Sequence, residues 1–216
     1  MALLDVLIPP ACGACGRFGS HLCAACLADF RPPGSPDERF VVADAGVVVG
    51  EDLELALAAF AYGGSLRAIL GRVKYAGASR VAALVAGAAL PAFVRLLAVS
   101  GPATLVPVPL HDARRRERGF NQAELIAAVI GRDAHLPVLD VLRRERATAR
   151  QHGLGRAARL GNLAGAFRYA GAGPPPRAVI VVDDILTTSA TLESCATVLR
   201  AAGSERVYGF AVAREI

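Results

Sequence analysis

Three groups of side chains in this 216-residue sequence have the types and spacing to do chemistry. The first is "CGAC" followed by "CAAC", which places Cys12, Cys15, Cys23 and Cys26 in one short stretch. Two cysteines three apart on a tight turn can chelate one metal ion, and Gly13 and Gly16 suit such turns. Two pairs supply four thiolates, the donor set of a structural Zn2+ site, and predict a compact zinc-ribbon-like module. Disulfides are the alternative and need an oxidising compartment that nothing in the sequence implies. His21 either replaces one thiolate or is a surface residue beside the knuckle. Cys195 stands alone in a helical context and reads as a small core residue.

The second group lies in "AVIVVDDILTTSATL", residues 178 to 192. An apolar run ends on Asp183 and Asp184, and the hydroxyls of Thr187, Thr188, Ser189 and Thr191 follow. Hydroxyls and free backbone N–H groups at a helix N-terminus cradle a phosphate. Two carboxylates cannot share that phosphate, since like charges repel. They suit sugar hydroxyls, from which they accept hydrogen bonds, or a hydrated Mg2+. Acids and cup together describe a ribose 5-phosphate site. The plainer alternative has Asp183 capping the turn and Thr188 or Ser189 capping the helix.

The third group is cationic. The formal net charge is +5, yet the segment from Arg114 to Arg168 holds twelve arginines against five acids, a local +7. A local excess of this kind wants a polyanion or a phosphorylated ligand. Within it, Pro107 and Pro109 stiffen a strand end just before Arg114, Arg115, Arg116 and Arg118, a rigid ledge delivering positive charge. Lys74 is the only lysine of the chain. It marks either a position that arginine cannot fill or a plain surface residue.

These groups need elements to hold them. "LELALAAFA" (53–61) alternates well enough for a strand, with helix as the other choice, and "SLRAILGRVKY" (65–75) has helical spacing. "RVAALVAGAALPAFVRLLAV" predicts a buried helix kinked or broken near Pro91. Its charge-free run of 14 residues is short of the ~20 that a membrane span needs. "ATLVPVP" predicts a short strand, and "NQAELIAAVIGR" a helix capped by Asn121 and ended by Gly131. Residues 143–167, rich in Arg and Gly, read as a loop. "RAVIVVDD" has the continuous apolar character of a central parallel strand. A helix ending at Gly203 and a strand "RVYGFAVAR" follow. Strands alternating with helices predict an α/β fold with a mainly parallel sheet. "RPPGSPDERF" (31–40) breaks the pattern, so residues 1–36 are expected to form the zinc module and 37–216 the main domain. The opening residues lack a cationic start and contain Asp5, unlike a signal peptide, so a cytoplasmic location without membrane insertion is expected.

Taken together, "VIVVDDILTTSAT", "VPVPLHDARRRERGFNQAELIA" and "ARQHGLGRAARLGNLAGAF", behind the paired CxxC, resemble the ComF family. That family comprises bacterial competence-associated proteins of type I phosphoribosyltransferase-like fold. The resemblance implies binding of 5-phosphoribosyl 1-pyrophosphate with Mg2+. Asp183 and Asp184 would hold the ribose, and the turn Thr187, Thr188, Ser189, Ala190 and Thr191 the 5-phosphate. The turn through Pro109, Leu110 and His111 would face the pyrophosphate, with Arg114, Arg118 and Lys74 as catalytic cations. Thr148, Gln151, Leu154, Arg156, Arg159 and Asn162 would belong to a closing loop, and residues about 38 to 75 to a hood that selects the acceptor. One departure is Ser189, where the family usually has glycine; a Cβ fits there only if the backbone does not need positive φ. The expected activity is transfer of the phosphoribosyl group to an unidentified nitrogenous acceptor, in the context of DNA uptake. The other reading is a non-catalytic accessory protein that binds single-stranded DNA or the competence machinery.

Overall fold

A computed structural model describes residues 9–33, 47–48, 50–72, 78–146 and 165–215. Lys74 and all six positions expected in the closing loop lie outside the described residues.

The apolar runs read as strands form one sheet. In chain order they are β1 (Val47–Val48), β2 (Leu55–Ala61), β3 (Thr104–Pro107), β6 (Ala178–Leu186) and β7 (Arg206–Arg214). Their spatial order is β1-β2-β7-β6-β3. β2, β7, β6 and β3 run parallel, and β1 adds an antiparallel edge. The α/β fold with a mainly parallel sheet is therefore as expected. β6 and β7 sit centrally, which explains why Val179–Val182 of β6 and Val207–Ala213 of β7 are continuously buried and carry no strict alternation.

Helices cover both faces. On one face α2 (Gly64–Arg72), α3 (Ala78–Ser100) and α5 (Gln122–Asp133) pack against the sheet. Ile69, Phe93, Leu96, Ile126 and Ile130 there meet Ile180 and Phe210. The Phe93 and Phe210 rings cross edge to face at 5.2 Å, a geometry that aromatic quadrupoles favour. On the other face α6 (Ala190–Ala202) buries Leu192, Cys195, Ala196 and Leu199 against Val179, Val181 and Val207. Cys195 is fully buried, the small core residue that its context suggested.

Three local expectations are corrected. α3 runs unbroken through Pro91. A helical proline removes the bond to the carbonyl four residues back and crowds it. Here that carbonyl belongs to Gly87, which is exposed like Pro91 and has open space beside it, so water can satisfy the freed oxygen. The same helix is buried on one side only, since Leu84, Val94 and Val99 are exposed. Its stretch Arg80–Ser100 is long and apolar enough to cross a membrane, with 39% of that stretch buried in the fold.

Gly131 does not end α5, which continues to Asp133. The chain reverses instead at His135, whose φ is +55°. A Cβ on Gly131 would lie 2.5 Å from Val138 Cγ2 and 3.0 Å from the Leu136 carbonyl, so this glycine serves close packing. Finally, the two ends of the stretch read as a loop pair with each other. β4 (Leu142–Arg144) and β5 (Phe167–Tyr169) form an antiparallel ribbon, with Arg144 opposite Phe167. Burial of Leu142 and Phe167 against the α6 face drives that pairing, and a window rich in arginine and glycine hides it.

Candidate functional site

The four clustered cysteines come together. A hairpin closed between Ala11 and Phe18 carries Cys12 and Cys15, and Cys23 and Cys26 flank the start of the short helix α1 (Ala24–Ala28). All four Sγ atoms lie within 4.8 Å of one another, and Cys15 and Cys23 are 3.7 Å apart. Tetrahedral Zn2+ with Zn–S bonds of about 2.3 Å needs sulfurs about 3.8 Å apart, so the donor set and its spacing fit zinc. Burial opposes the Cys12 thiolate, yet backbone N–H donors of Cys15, Cys23 and Ala14 bring its pKa down to about 6. Cys26 receives a hydrogen bond from Ser65, but burial and the neighbouring sulfurs push it up to about 12. A divalent cation bound by the four sulfurs would offset part of their combined negative charge. His21 is not one of the four; its ring lies 3.5 Å from Arg80 and its carbonyl accepts from Gly13 N–H.

The cysteine segment is docked on the main fold. Arg72 donates to the Gly13 carbonyl at 3.3 Å, and Asp29 Oδ2 accepts from the Ser65 N–H at 2.9 Å, at the start of α2. That bond holds the Asp29 carboxyl below its ordinary range. Phe30 is buried, its ring 5.1 Å from that of Phe60.

The second site is a cleft of about 230 Å³ at the carboxyl edge of the sheet, where open parallel sheets bind ligands. β6 delivers Asp183 and Asp184, α6 delivers Thr191, and the turn after β3 delivers Pro109 and Leu110. The short helix α4 (Asp112–Arg118) presents Arg114 and Arg118, four residues apart and so on one face. Arg115, between them, is turned instead to an ion pair with Glu124 of α5, which fixes α4 against that helix. Asn121, 3% exposed, caps α5 through Ala123 N–H at 3.0 Å and donates to the Val108 carbonyl at 2.9 Å. One side chain thus fastens the turn after β3 to the helix that follows.

Loss of water around its carboxyl raises the Asp183 pKa well above the ordinary range, and the neighbouring Asp184 charge adds to this. A hydrogen bond from Asp184 N–H to Asp183 Oδ1, at 2.8 Å, and the charge of Arg144 work the other way. Arg144 is a residue that the sequence motifs did not single out. It is half-buried in the cleft wall, its guanidinium 5.3 Å from the Phe167 ring centroid across the ribbon. Burial and the nearby Arg114 lower its pKa, while Cys195 and Asp183 raise it.

The remaining expected residues are placed as follows. Thr187, Thr188, Ser189 and Ala190 make the turn from β6 into α6, with Thr187 exposed and Ser189 and Ala190 buried. Ser189 is the N-cap at φ +59°, ψ −10°, so the backbone does demand the left-handed conformation at the position where glycine was the expected residue. Its side chain makes no cap hydrogen bond and donates to the Thr188 carbonyl instead. The first-turn amides of α6 are thus left without a side-chain cap from Ser189. His111 caps α4, its Nδ1 accepting from Ala113 N–H at 3.3 Å. Beyond the expected set, Tyr62, Leu70, Gln122 and Ile185 also line the cleft. Tyr62 and Leu70 fall in the segment of about 38 to 75 expected to form the hood, whereas Gln122 and Ile185 were not singled out.

No family model matches the chain. Competence protein F of Haemophilus influenzae is 36% identical over 116 residues, 52% of this chain and 51% of that protein. Competence protein ComFC of Streptococcus pneumoniae is 34% identical over 111 residues, 50% and 47% of the respective lengths. DNA utilization protein YhgH of Escherichia coli K12 is 29% identical over 217 residues, 98% of this chain and 86% of that protein. The aligned part of the chain therefore spans about half the length of the two competence proteins and most of the DNA utilization protein.

Proposed function

We propose that this homologue of competence protein F, ComFC and YhgH binds 5-phosphoribosyl 1-pyrophosphate and transfers its phosphoribosyl group to a nitrogen nucleophile. One observation carries the reading. An acidic pair, a helix N-terminus with a hydroxyl and three arginines, Arg114, Arg118 and Arg144, line a single cleft at the carboxyl edge of a parallel sheet.

Each part has a task in that reaction. Asp183 and Asp184 accept hydrogen bonds from the ribose hydroxyls. Thr191 and the first-turn amides of α6 receive the 5-phosphate, where the helix dipole favours negative charge. The arginines face the pyrophosphate and stabilise the charge that it gains as it leaves. The bond from ribose C1 to the pyrophosphate oxygen breaks as nitrogen bonds to C1. Pyrophosphate departs with the electron pair, and the proton of the nitrogen passes to water. Carboxylate oxygens such as those of Asp183 and Asp184 are the hard donors that suit Mg2+, which when bound supplies further neutralisation of pyrophosphate. The four cysteines hold a structural Zn2+. The names of the relatives extend the proposal to a setting in DNA uptake.

A thermal-shift titration with phosphoribosyl pyrophosphate and Mg2+ tests the reading. Stabilisation of the unaltered protein, abolished in an Asp183→Asn/Asp184→Asn variant, is the expected result; no stabilisation at all overturns it. The arginine-rich segment and the DNA-utilization relatives favour a second reading, in which the protein binds single-stranded DNA without catalysis. Salt-dependent DNA binding that ignores the two aspartate substitutions, with no response to phosphoribosyl pyrophosphate, would establish it instead.

A further inference from the structure

Helix α2 is fastened at both ends by residues that flank the clustered cysteines. Its first turn contains no acidic residue, although free amides at a helix start favour a carboxylate. That carboxylate comes from Asp29, the C-cap of α1 three residues after Cys26, whose Oδ2 accepts from the Ser65 N–H at 2.9 Å. Gly64 makes room for it, since a Cβ there would stand 2.4 Å from Asp29 Oδ2. The Ser65 side chain in turn hydrogen-bonds Cys26. At the far end of α2, Arg72 donates to the carbonyl of Gly13, the residue after Cys12, at 3.3 Å. Gly13 also faces the middle of the helix, where an added Cβ would lie 3.7 Å from Ile69 Cγ1.

The same helix shapes the cleft. Leu70 and Tyr62 line it, and Arg67 of α2 lies 5.9 Å from the Tyr62 ring centroid. The Leu70 carbonyl accepts from Gln122 Nε2, and Gln122 Oε1 accepts from Arg118, both at 3.4 Å. Gln122 is only 5% exposed, so its position follows from these neighbours. None of residues 9–33 lines the cleft. The cysteine segment therefore meets the cleft only through the elements it touches. These are α2 and the end of β2, where Ala61 N–H donates to the Arg31 carbonyl at 2.8 Å.

We propose that the cysteine segment is a positioning element of the cleft, and that metal held by the four sulfurs and phosphoribosyl pyrophosphate in the cleft strengthen each other's binding through α2. This rests on the reading that the cleft binds phosphoribosyl pyrophosphate. Metal fixes the turns that carry Gly13 and Asp29, and these fix α2. α2 then holds Tyr62 and Leu70 in place and, through Gln122, the guanidinium of Arg118 that faces the pyrophosphate. A ligand that needs this wall ordered binds more weakly by the fraction of molecules in which it is not. Linkage makes the effect reciprocal, so the ligand raises metal affinity by the same factor. Asp29 and Arg72 are the positioning residues, and neither touches metal or ligand.

The test uses the full-length, zinc-loaded protein and measures the Kd of phosphoribosyl pyrophosphate with Mg2+ by calorimetry. Asp29→Ala/Arg72→Met leaves all four cysteines in place and should keep about one zinc per chain. It should weaken the ligand about threefold to tenfold, for the loss of one helix cap and one further hydrogen bond. Amide hydrogen exchange along α2 should quicken in the same variant. Asp29→Asn keeps an acceptor oxygen for the Ser65 N–H and should bind the ligand as the unaltered protein does. In the reciprocal arm, saturating phosphoribosyl pyrophosphate should raise zinc affinity about threefold to tenfold in competition with a chelator, and less in the double variant. A double variant with lower Tm but unchanged Kd shows a merely structural clamp and overturns the proposal. So does a zinc affinity indifferent to phosphoribosyl pyrophosphate; in both cases the ligand-binding reading stands. If the unaltered protein does not bind phosphoribosyl pyrophosphate, both readings fall.

Discussion

The cysteine cluster and the cleft are both places where like-charged groups are gathered, yet they are built in opposite ways. The four sulfurs come from a single run of residues, 12 to 26, and hairpin and helix geometry suffices to converge them. The cleft takes side chains from one strand of the sheet, four helices, the β4–β5 ribbon and the turns between them, and none of these delivers more than a few. A site made locally depends on spacing; a site made at a sheet edge depends on the whole fold being in register. Removing charge should therefore act differently at the two places.

The largest effect is expected from stripping the cysteine cluster. Chelation, or Cys12→Ser with Cys26→Ser, should release about one zinc per chain and lower Tm by about 10 °C or more, since structural zinc sites carry much of their module's folding energy. Metal analysis and calorimetry check it. The cleft should respond in the other direction. The raised pKa of Asp183 means that the folded state holds its proton more tightly than the unfolded chain does. The resulting stability is present below the unfolded value near 4 and is lost as pH rises through the higher folded value. Asp183→Asn should therefore raise Tm of the ligand-free protein by a few degrees at pH 8 and change it little at pH 4, while removing the response to phosphoribosyl pyrophosphate. A fall in Tm at pH 8 would show that the carboxylate is structural.

Asn121→Ala probes how the cleft is framed. Loss of the cap and of the bond to Val108 should cost about 1–3 kcal/mol by denaturant unfolding, with weaker binding of pyrophosphate-bearing ligands. The smallest effect is expected at Ser189. Glycine removes the left-handed strain at φ +59°, offset by its greater freedom in the unfolded chain. Ser189→Gly should stabilise by up to about 1 kcal/mol, read as a Tm rise of about 2–4 °C.

The same contrast sets what could be read in the sequence. The ComF resemblance drawn from the motifs is borne out by relatives that carry those names. The parallel sheet was legible because β6 and β7 carry continuous apolar runs, and the four-cysteine cluster because its spacing is local. Arg144 was not legible, since its value lies in the pairing with Phe167 across a gap of more than twenty residues. Gln122 was hidden behind Asn121, whose capping role explained the motif sufficiently. Gly131 was misread because a glycine near a helix end usually marks the stop; here Val138 presses on it from outside the helix. The break expected as one outcome at Pro91 does not occur, because its penalty depends on whether the Gly87 carbonyl meets water or core, and sequence does not say which.

The order β2-β7-β6-β3 has a consequence for how the protein is made. β2 pairs in parallel only with β7, Ala56 opposite Gly209 and Leu57 opposite Phe210. While a ribosome is still translating the residues before Arg206, β2 lacks its parallel partner and β6 lacks one of its two. The β6–β3 half and the β2 half can then be joined only by a strand not yet synthesised. Sheet closure thus waits for β7, and it requires a pairing of very long sequence separation, the kind that slows folding. Ribosome stalling shortly before Arg206 would hold two strand edges unpaired, the state in which exposed edges invite aggregation.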